Sequence, residues 1–167
     1  TAVTREDEVD QRSLAVYVQN LTYWLPWLRT QAGLRADHYR FDVNSNVPAN
    51  SGKRSDQMLS PKFTAIFGPW GAQAQSEFYA NWGRGFHSND ARGSTLTVDP
   101  VTRLKVDADG NPIRRVDPLV RSTGYELGLR SKPLSGWQTT VALWRLDLDS
   151  ELLFVGDAGI TEPSRPS

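Results

Sequence analysis

Two-residue alternation of apolar and polar side chains constrains this chain more than any other feature. From Leu28 to Asp37, the residues Leu28, Thr30, Ala32, Leu34 and Ala36 interleave with Arg29, Gln31, Gly33, Arg35 and Asp37. Side chains of an extended strand point alternately to its two faces, so such a segment separates two environments. The pattern returns at Phe63, Ala65 and Phe67 against Lys62 and Thr64, and at Phe78, Ala80 and Trp82 against Glu77, Tyr79 and Asn81. It returns again at Tyr125, Leu127 and Leu129 against Glu126, Gly128 and Arg130. Near the end, Ala142, Trp144, Leu146 and Leu148 stand against Arg145, Asp147 and Asp149, and a less regular first strand spans about Ser13 to Tyr23. The reading is all-β, an antiparallel up-and-down meander of about six strands with no convincing helix and no fixed-period repeat.

Composition removes several classes. The 19 basic and 19 acidic residues cancel, so no summed charge draws the chain to nucleic acid, which is not an expected partner. Without cysteine there is no disulfide frame, thiolate nucleophile or Cys-ligated metal site. Apolar runs such as Leu152-Leu153-Phe154-Val155 fall far short of the roughly 18 residues of a membrane-spanning helix. Thr1 opens on a polar stretch with neither Met nor an apolar leader, so the natural N-terminus is expected upstream.

A soluble sandwich also alternates, and the connections separate it from a barrel. Three links are short: Trp24-Leu25-Pro26-Trp27, Gly68-Pro69-Trp70-Gly71 with a few residues more, and Lys132-Pro133-Leu134-Ser135-Gly136. Two are long and rich in Asn, Asp, Gly, Ser and Pro, from about Val43 to Met58 and from about His87 to Pro118. Short and long links in alternation put the turns at one end of the sheet and the loops at the other, as in outer-membrane barrels. Trp24, Trp27, Trp70 and Trp137 lie at or beside the short turns, where an interfacial aromatic girdle belongs.

The segment Glu77-Phe78-Tyr79-Ala80-Asn81-Trp82-Gly83-Arg84-Gly85-Phe86-His87-Ser88-Asn89-Asp90-Ala91-Arg92-Gly93 resembles barrel segments of TonB-dependent outer-membrane receptors. So does the stretch Trp144-Arg145-Leu146-Asp147-Leu148-Asp149-Ser150-Glu151-Leu152-Leu153-Phe154-Val155-Gly156-Asp157-Ala158-Gly159, with weaker similarity in Tyr17-Val18-Gln19-Asn20 and Ala32-Gly33-Leu34-Arg35-Ala36-Asp37. The resemblance implies a Gram-negative outer-membrane barrel of about 22 strands. It further implies an N-terminal plug domain, a small-molecule ligand such as a ferric siderophore or similar metal chelate, and energy passed on by the TonB system. Nothing in the chain is similar to the plug or the TonB box, and Ser167 closes it without the family's terminal aromatic strand, so residues 1–167 are expected to be partial barrel wall.

No enzyme is expected. His38 beside Asp37 and His87 near Asp90 pair histidine with carboxylate, but no Ser-His-Asp spacing, HExxH or phosphate-binding glycine loop accompanies them. Asp107-Ala108-Asp109-Gly110-Asn111 lacks the third ligand and distal Glu of a calcium loop and reads as a turn. No catalytic, cofactor or metal residue is therefore assigned. The candidate lumen or loop contacts are Arg35, Asp37, Glu77, Asn81, Glu126, Arg130, Arg145 and Asp147 on the polar phase, with His87, Asn89, Asp90 and Arg92 at the loop entrance. Leu34, Ala80, Leu127 and Ala142 are expected to face lipid, as is the phase carrying Phe67, Trp82, Leu129 and Trp144. The His87–Pro118 link is expected to be too polar to form a core of its own. An isolated piece of this kind needs detergent or associates with itself to cover its apolar face and open edges. The alternatives from other classes are a soluble β-sandwich binding module and a passive outer-membrane channel.

Overall fold

The structure, a computed structural model, describes residues 5–107, 110–149, 152–155 and 160–163. Six strands form one antiparallel sheet in sequence order: β1 (Asp7–Leu25), β2 (Leu28–Ser45), β3 (Gly52–Trp70), β4 (Ser76–Ser88), β5 (Leu119–Leu134) and β6 (Trp137–Leu148). Two short strands, β7 (Leu152–Val155) and β8 (Ile160–Pro163), pair only with each other. The six-stranded sheet is not closed, as suits part of a barrel wall, and Leu14, Val18, Leu127 and Leu143 on its apolar face stay largely exposed. No second layer of described residues covers them, so the sheet is the expected meander and not the sandwich of the alternative reading. Ala108, Asp109, Ser150, Glu151 and residues 156–159, parts of the turn and the second family-like motif named above, lie outside the described residues.

The meander follows from local chemistry. Tight turns at 26–27, 71–75 and 135–136 close one end, the last using Gly136 at φ +74, a backbone region glycine enters without steric cost. Trp24, Trp27, Trp70 and Trp137 all sit at this turn end and are exposed. The opposite end carries residues 46–51, with a 3-10 turn at Pro48–Asn50, and residues 89–118, with a short helix α1 (Ala91–Thr95). The expected Val43–Met58 loop is a correction: Val43 pairs with Gly52, Phe41 with Arg54 and Asp37 with Met58, so the ladder continues almost to its tip. Polar composition there reads as loop only until the inward series Phe41, Val43 and Met58 is recognised as the same alternation, buried.

Directly opposed residues in an antiparallel ladder share a face, so the register sorts the side chains. Leu34 opposes Val18 and Pro61, Ala65 opposes Ala80, Ala80 opposes Leu127, and Leu127 opposes Leu143. This apolar face therefore holds Leu143, whereas Ala142 opposes Gly128 and Trp144 opposes Glu126 on the polar face. The expected phase of β6 is thus inverted: Arg145 and Asp147 share the apolar face, and Ala142 and Trp144 do not.

The reason is a slanted border. Arg145 lies in one cross-strand row with Tyr125, Trp82, Phe63, Ala32 and Asn20. On β1 the first charge on that face is Arg12, eight residues beyond Asn20 toward the loops. Eight residues make about 26 Å along the strand, against about 24 Å across five inter-strand spacings. A level plane with that slope inclines the strands by about 47°, close to the roughly 35–45° of outer-membrane barrels. On β6 the apolar zone therefore ends after Leu143, and charge on the same face begins at Arg145.

Candidate functional site

The polar face is built as a ladder of charge across β2, β3, β4 and β5. Arg29 reaches across β3 to donate to Glu77 at 2.7 Å, and Glu77 stands opposite Arg130. The Arg130 guanidinium lies 5.6 Å from the ring centre of Tyr79, and Tyr79 is a diagonal cross-strand neighbour of Glu126, with which it interacts. Asn81 opposes Glu126 on one side and Thr64 on the other. Gly128 is required beneath this ring, because a Cβ there would stand 2.1 Å from Tyr79 Cζ. An aromatic side chain laid over a strand glycine also pins the register of the two strands. Farther along β2, Arg35 donates to both carboxylate oxygens of Asp37 at 2.8 to 3.0 Å, and Asp37 is 3% exposed.

Arg29 and Tyr79 were absent from the sequence-based candidates, although both lie on the polar phase of their strands. Their neighbours in the same alternating series were the available signal; the cross-strand reach of Arg29 was not. Arg145 donates to Asp147 at 2.8 Å, but on the opposite face, away from the other candidates.

Where the strands rise toward the loops, residues 89–118 fold in over the polar face. Phe41, Val43, Met58, Ala91 and Leu119 form a buried cluster, with Tyr39 and Phe86 packed against it. Leu96, Val98, Pro100 and Val116 are buried as well, so the segment packs down onto the strands, which supply all of the buried cluster except Ala91. The decisive group is the fully buried Asn50, which accepts from the amides of Thr97 and Val98 at 2.8 and 3.0 Å and donates to the Val98 carbonyl at 3.0 Å. Arg54 donates to the Ser94 carbonyl. One Asn supplies the partners that a polar loop needs once it leaves water.

The loop-entrance candidates serve this architecture. His87 stands half-buried opposite Val120. Asn89 is buried and ties the loop's two ends, donating from its side chain to Asp117 O at 2.7 Å and from its backbone to Pro118 O. Asp90 caps α1 by accepting from the Arg92 amide at 3.0 Å and pairs with the Arg92 guanidinium. Burial alone would raise the Asp90 carboxyl, but the hydrogen bonds and charge of Arg92 outweigh it and hold Asp90 below its ordinary value. Asp99 is likewise lowered, burial being outweighed by bonds from the Thr102 and Val101 amides and the Thr102 hydroxyl. Asp107 accepts from the Asn111 amide at 2.8 Å, with Gly110 at φ +83, so the described residues of that stretch make a turn. Among the described residues no group of three His, Asp or Glu could hold a metal ion.

The arrangement offers one apolar face, one face of paired charges, and a packed loop over the latter. No curated protein matches the chain, but residues 1–165 match the family model described as TonB dependent receptor-like, beta-barrel. Proteins of that family are receptors of the bacterial outer membrane that transport rather than catalyse, and this chain belongs to it as part of the β-barrel.

Proposed function

We propose that this chain is wall from a receptor that takes up a scarce nutrient, a ferric siderophore or similar chelate, with energy transmitted by the TonB system through a plug domain. The observation that carries the reading is the slanted apolar face backed by the Arg29–Glu77–Arg130–Tyr79–Glu126 ladder. A wall with lipid on one side and a packed polar domain on the other needs both. The ladder would line the lumen against the plug, and residues 89–118 would stand over the mouth where ligand arrives.

Uptake of radiolabelled ferric chelates by iron-starved cells carrying the full-length protein tests this, with and without TonB. Accumulation that requires TonB and the protein together supports the reading. Uptake that persists without TonB identifies a passive channel instead. No uptake of any iron chelate removes the proposed substrate class.

A further inference from the structure

Two kinds of glycine lie on the polar face of β4 and β5. Gly128 is required by the fold, because the Tyr79 ring occupies the space of a Cβ. Gly83, Gly85 and Gly124 are not required in this way. None of them has a positive φ, and a Cβ at Gly83 or Gly124 would meet its nearest neighbour at 3.6 or 3.9 Å, which is ordinary contact. At Gly85 the nearest atom is the Ser122 hydroxyl at 3.2 Å, the end of a side chain that can turn aside. Glycine in a strand interior weakens the strand, and among the described residues nothing calls for three of them here. Bare strand backbone marks a place where something from outside approaches closely.

The register gathers these residues into one patch. Gly83 opposes Gly124 and Gly85 opposes Ser122, so three glycines and a serine form a two-by-two block with its Cα corners roughly 5 by 7 Å apart. That is about the footprint of one six-membered ring. Taller side chains surround the block: Lys62 flanks Gly83 from β3, and Leu146 flanks Gly124 from β6. Asn81 and Glu126, opposed to each other, close the side toward the turns, with Trp144 opposite Glu126 and 74% exposed. Together they line a hollow of about 450 Å³, the size of a small-molecule site. Lys62 has no ion pair among the described residues, whereas Glu126 already interacts with Tyr79. The charge left for a ligand is therefore positive.

We propose that this glycine floor seats a flat aryl ring of the ligand, one carrying anionic or metal-bound oxygens, with Lys62 on those oxygens and Trp144 beside the ring. The inference rests on the uptake reading above and narrows its substrate to chelates with aryl arms. A planar ring lies against bare backbone over its whole face, whereas a group with substituents above and below its plane is held off. Gly83, Gly85 and Gly124 thereby set specificity by what they lack, and Lys62 sets the sign of the ligand.

The test is equilibrium dialysis of the full-length protein in detergent micelles against radioiron held either by a synthetic hexadentate tris-catecholamide or by citrate. Both chelates are anionic and only the first is aromatic. The wild type is expected to bind the catecholamide roughly tenfold or more tightly than the citrate. Gly124→Leu fills the floor and should remove that preference while leaving citrate binding unchanged. Gly124→Ala, whose Cβ has room beside Leu146, should lower it severalfold and serves if the Leu variant does not fold. Lys62→Gln should weaken catecholamide binding and its dependence on salt. Equal binding of the two chelates by the wild type overturns the proposal, as does tighter binding of citrate. Folded Gly124 variants that keep the preference but melt at lower temperature also overturn it, because the glycines then serve the bend of the sheet or the seat of the plug domain. A wild type that binds neither chelate fails the iron-chelate reading on which the proposal rests.

Discussion

Two adjacent residues of β6 give opposite expectations. Val141 is 60% exposed and opposes Leu129 on the apolar face, four residues, or about 13 Å along the strand, inside the border at Arg145. Ala142 opposes Gly128, which opposes Tyr79, on the polar face. Arginine near the midplane of a lipid-facing surface costs about 2–4 kcal/mol, which is roughly a 30- to 700-fold loss in the folding equilibrium. Val141→Arg should therefore show that loss, and Ala142→Arg less than about 1 kcal/mol, within the range of surface substitutions that meet water. Denaturant titration of the full-length protein in lipid vesicles, followed by tryptophan fluorescence, measures both. If Ala142→Arg is the more damaging, the register of β6 is wrong, and with it the slanted border.

Gly128→Ala pushes the Tyr79 ring off Glu126 and Arg130 and should destabilise by about 1–3 kcal/mol. In a Tyr79→Ala background most of that cost should vanish in a double-mutant cycle. Asn50→Ala strands the Thr97 and Val98 amides, about 1–3 kcal/mol for each buried group left unpaired, so hydrogen exchange at residues 96–100 should quicken well beyond that of β2. Protease added to intact cells should cut among residues 101–105 or 110–115, which are largely exposed, and spare residues 91–100, which are mostly buried; cleavage at the 71–75 or 135–136 turns would reverse the orientation. Because Asp90 and Asp99 are lowered in the folded loop, their stabilisation is complete above the unfolded value of about 3.9 and declines as pH falls below it toward the folded values. Protection of residues 89–104, taken as the exchange rate relative to that of the unfolded chain at each pH, should therefore fall as pH drops below about 3.9, and a flat protection profile there would refute the assignment.

The strand centres were legible because lipid-facing and polar positions differ most in mid-membrane, where Leu34, Ala80 and Leu127 interleave with Arg35, Asn81 and Glu126. Toward the loops that contrast disappears. Arg145 and Asp147 were read as the polar phase of β6 when they are the apolar face continued past its border, and no single strand can reveal a border that slants across six. The segment 89–118 was read as a solvated loop from its composition. Its order comes from Asn50 and Arg54, which lie more than 35 positions away in sequence and signal nothing locally. Arg29 was overlooked because its partner Glu77 sits two strands over.

Strand length explains what the loop-end core does. A strand crossing a bilayer needs about 9–11 residues, yet β1, β2 and β3 have 19, 18 and 19, with the surplus at the loop end. There β2 and β3 stay paired up to Val43–Gly52, and β4 and β5 up to Ser88–Leu119, but β3 and β4 stop pairing at Lys62–Gly83. The wall thus divides into two flaps with unpaired edges. Residues 89–118 leave β4 and return on β5, but α1 packs against β1, β2 and β3, and the buried cluster joins Phe41, Val43 and Met58 to Leu119. The Tyr39 and Phe86 rings, 5.6 Å apart and edge-on, also span the division. The inner half of the segment is therefore the tie that closes the wall above the membrane, which among the described residues leaves the exposed stretches 101–105 and 110–115 free to vary without opening it.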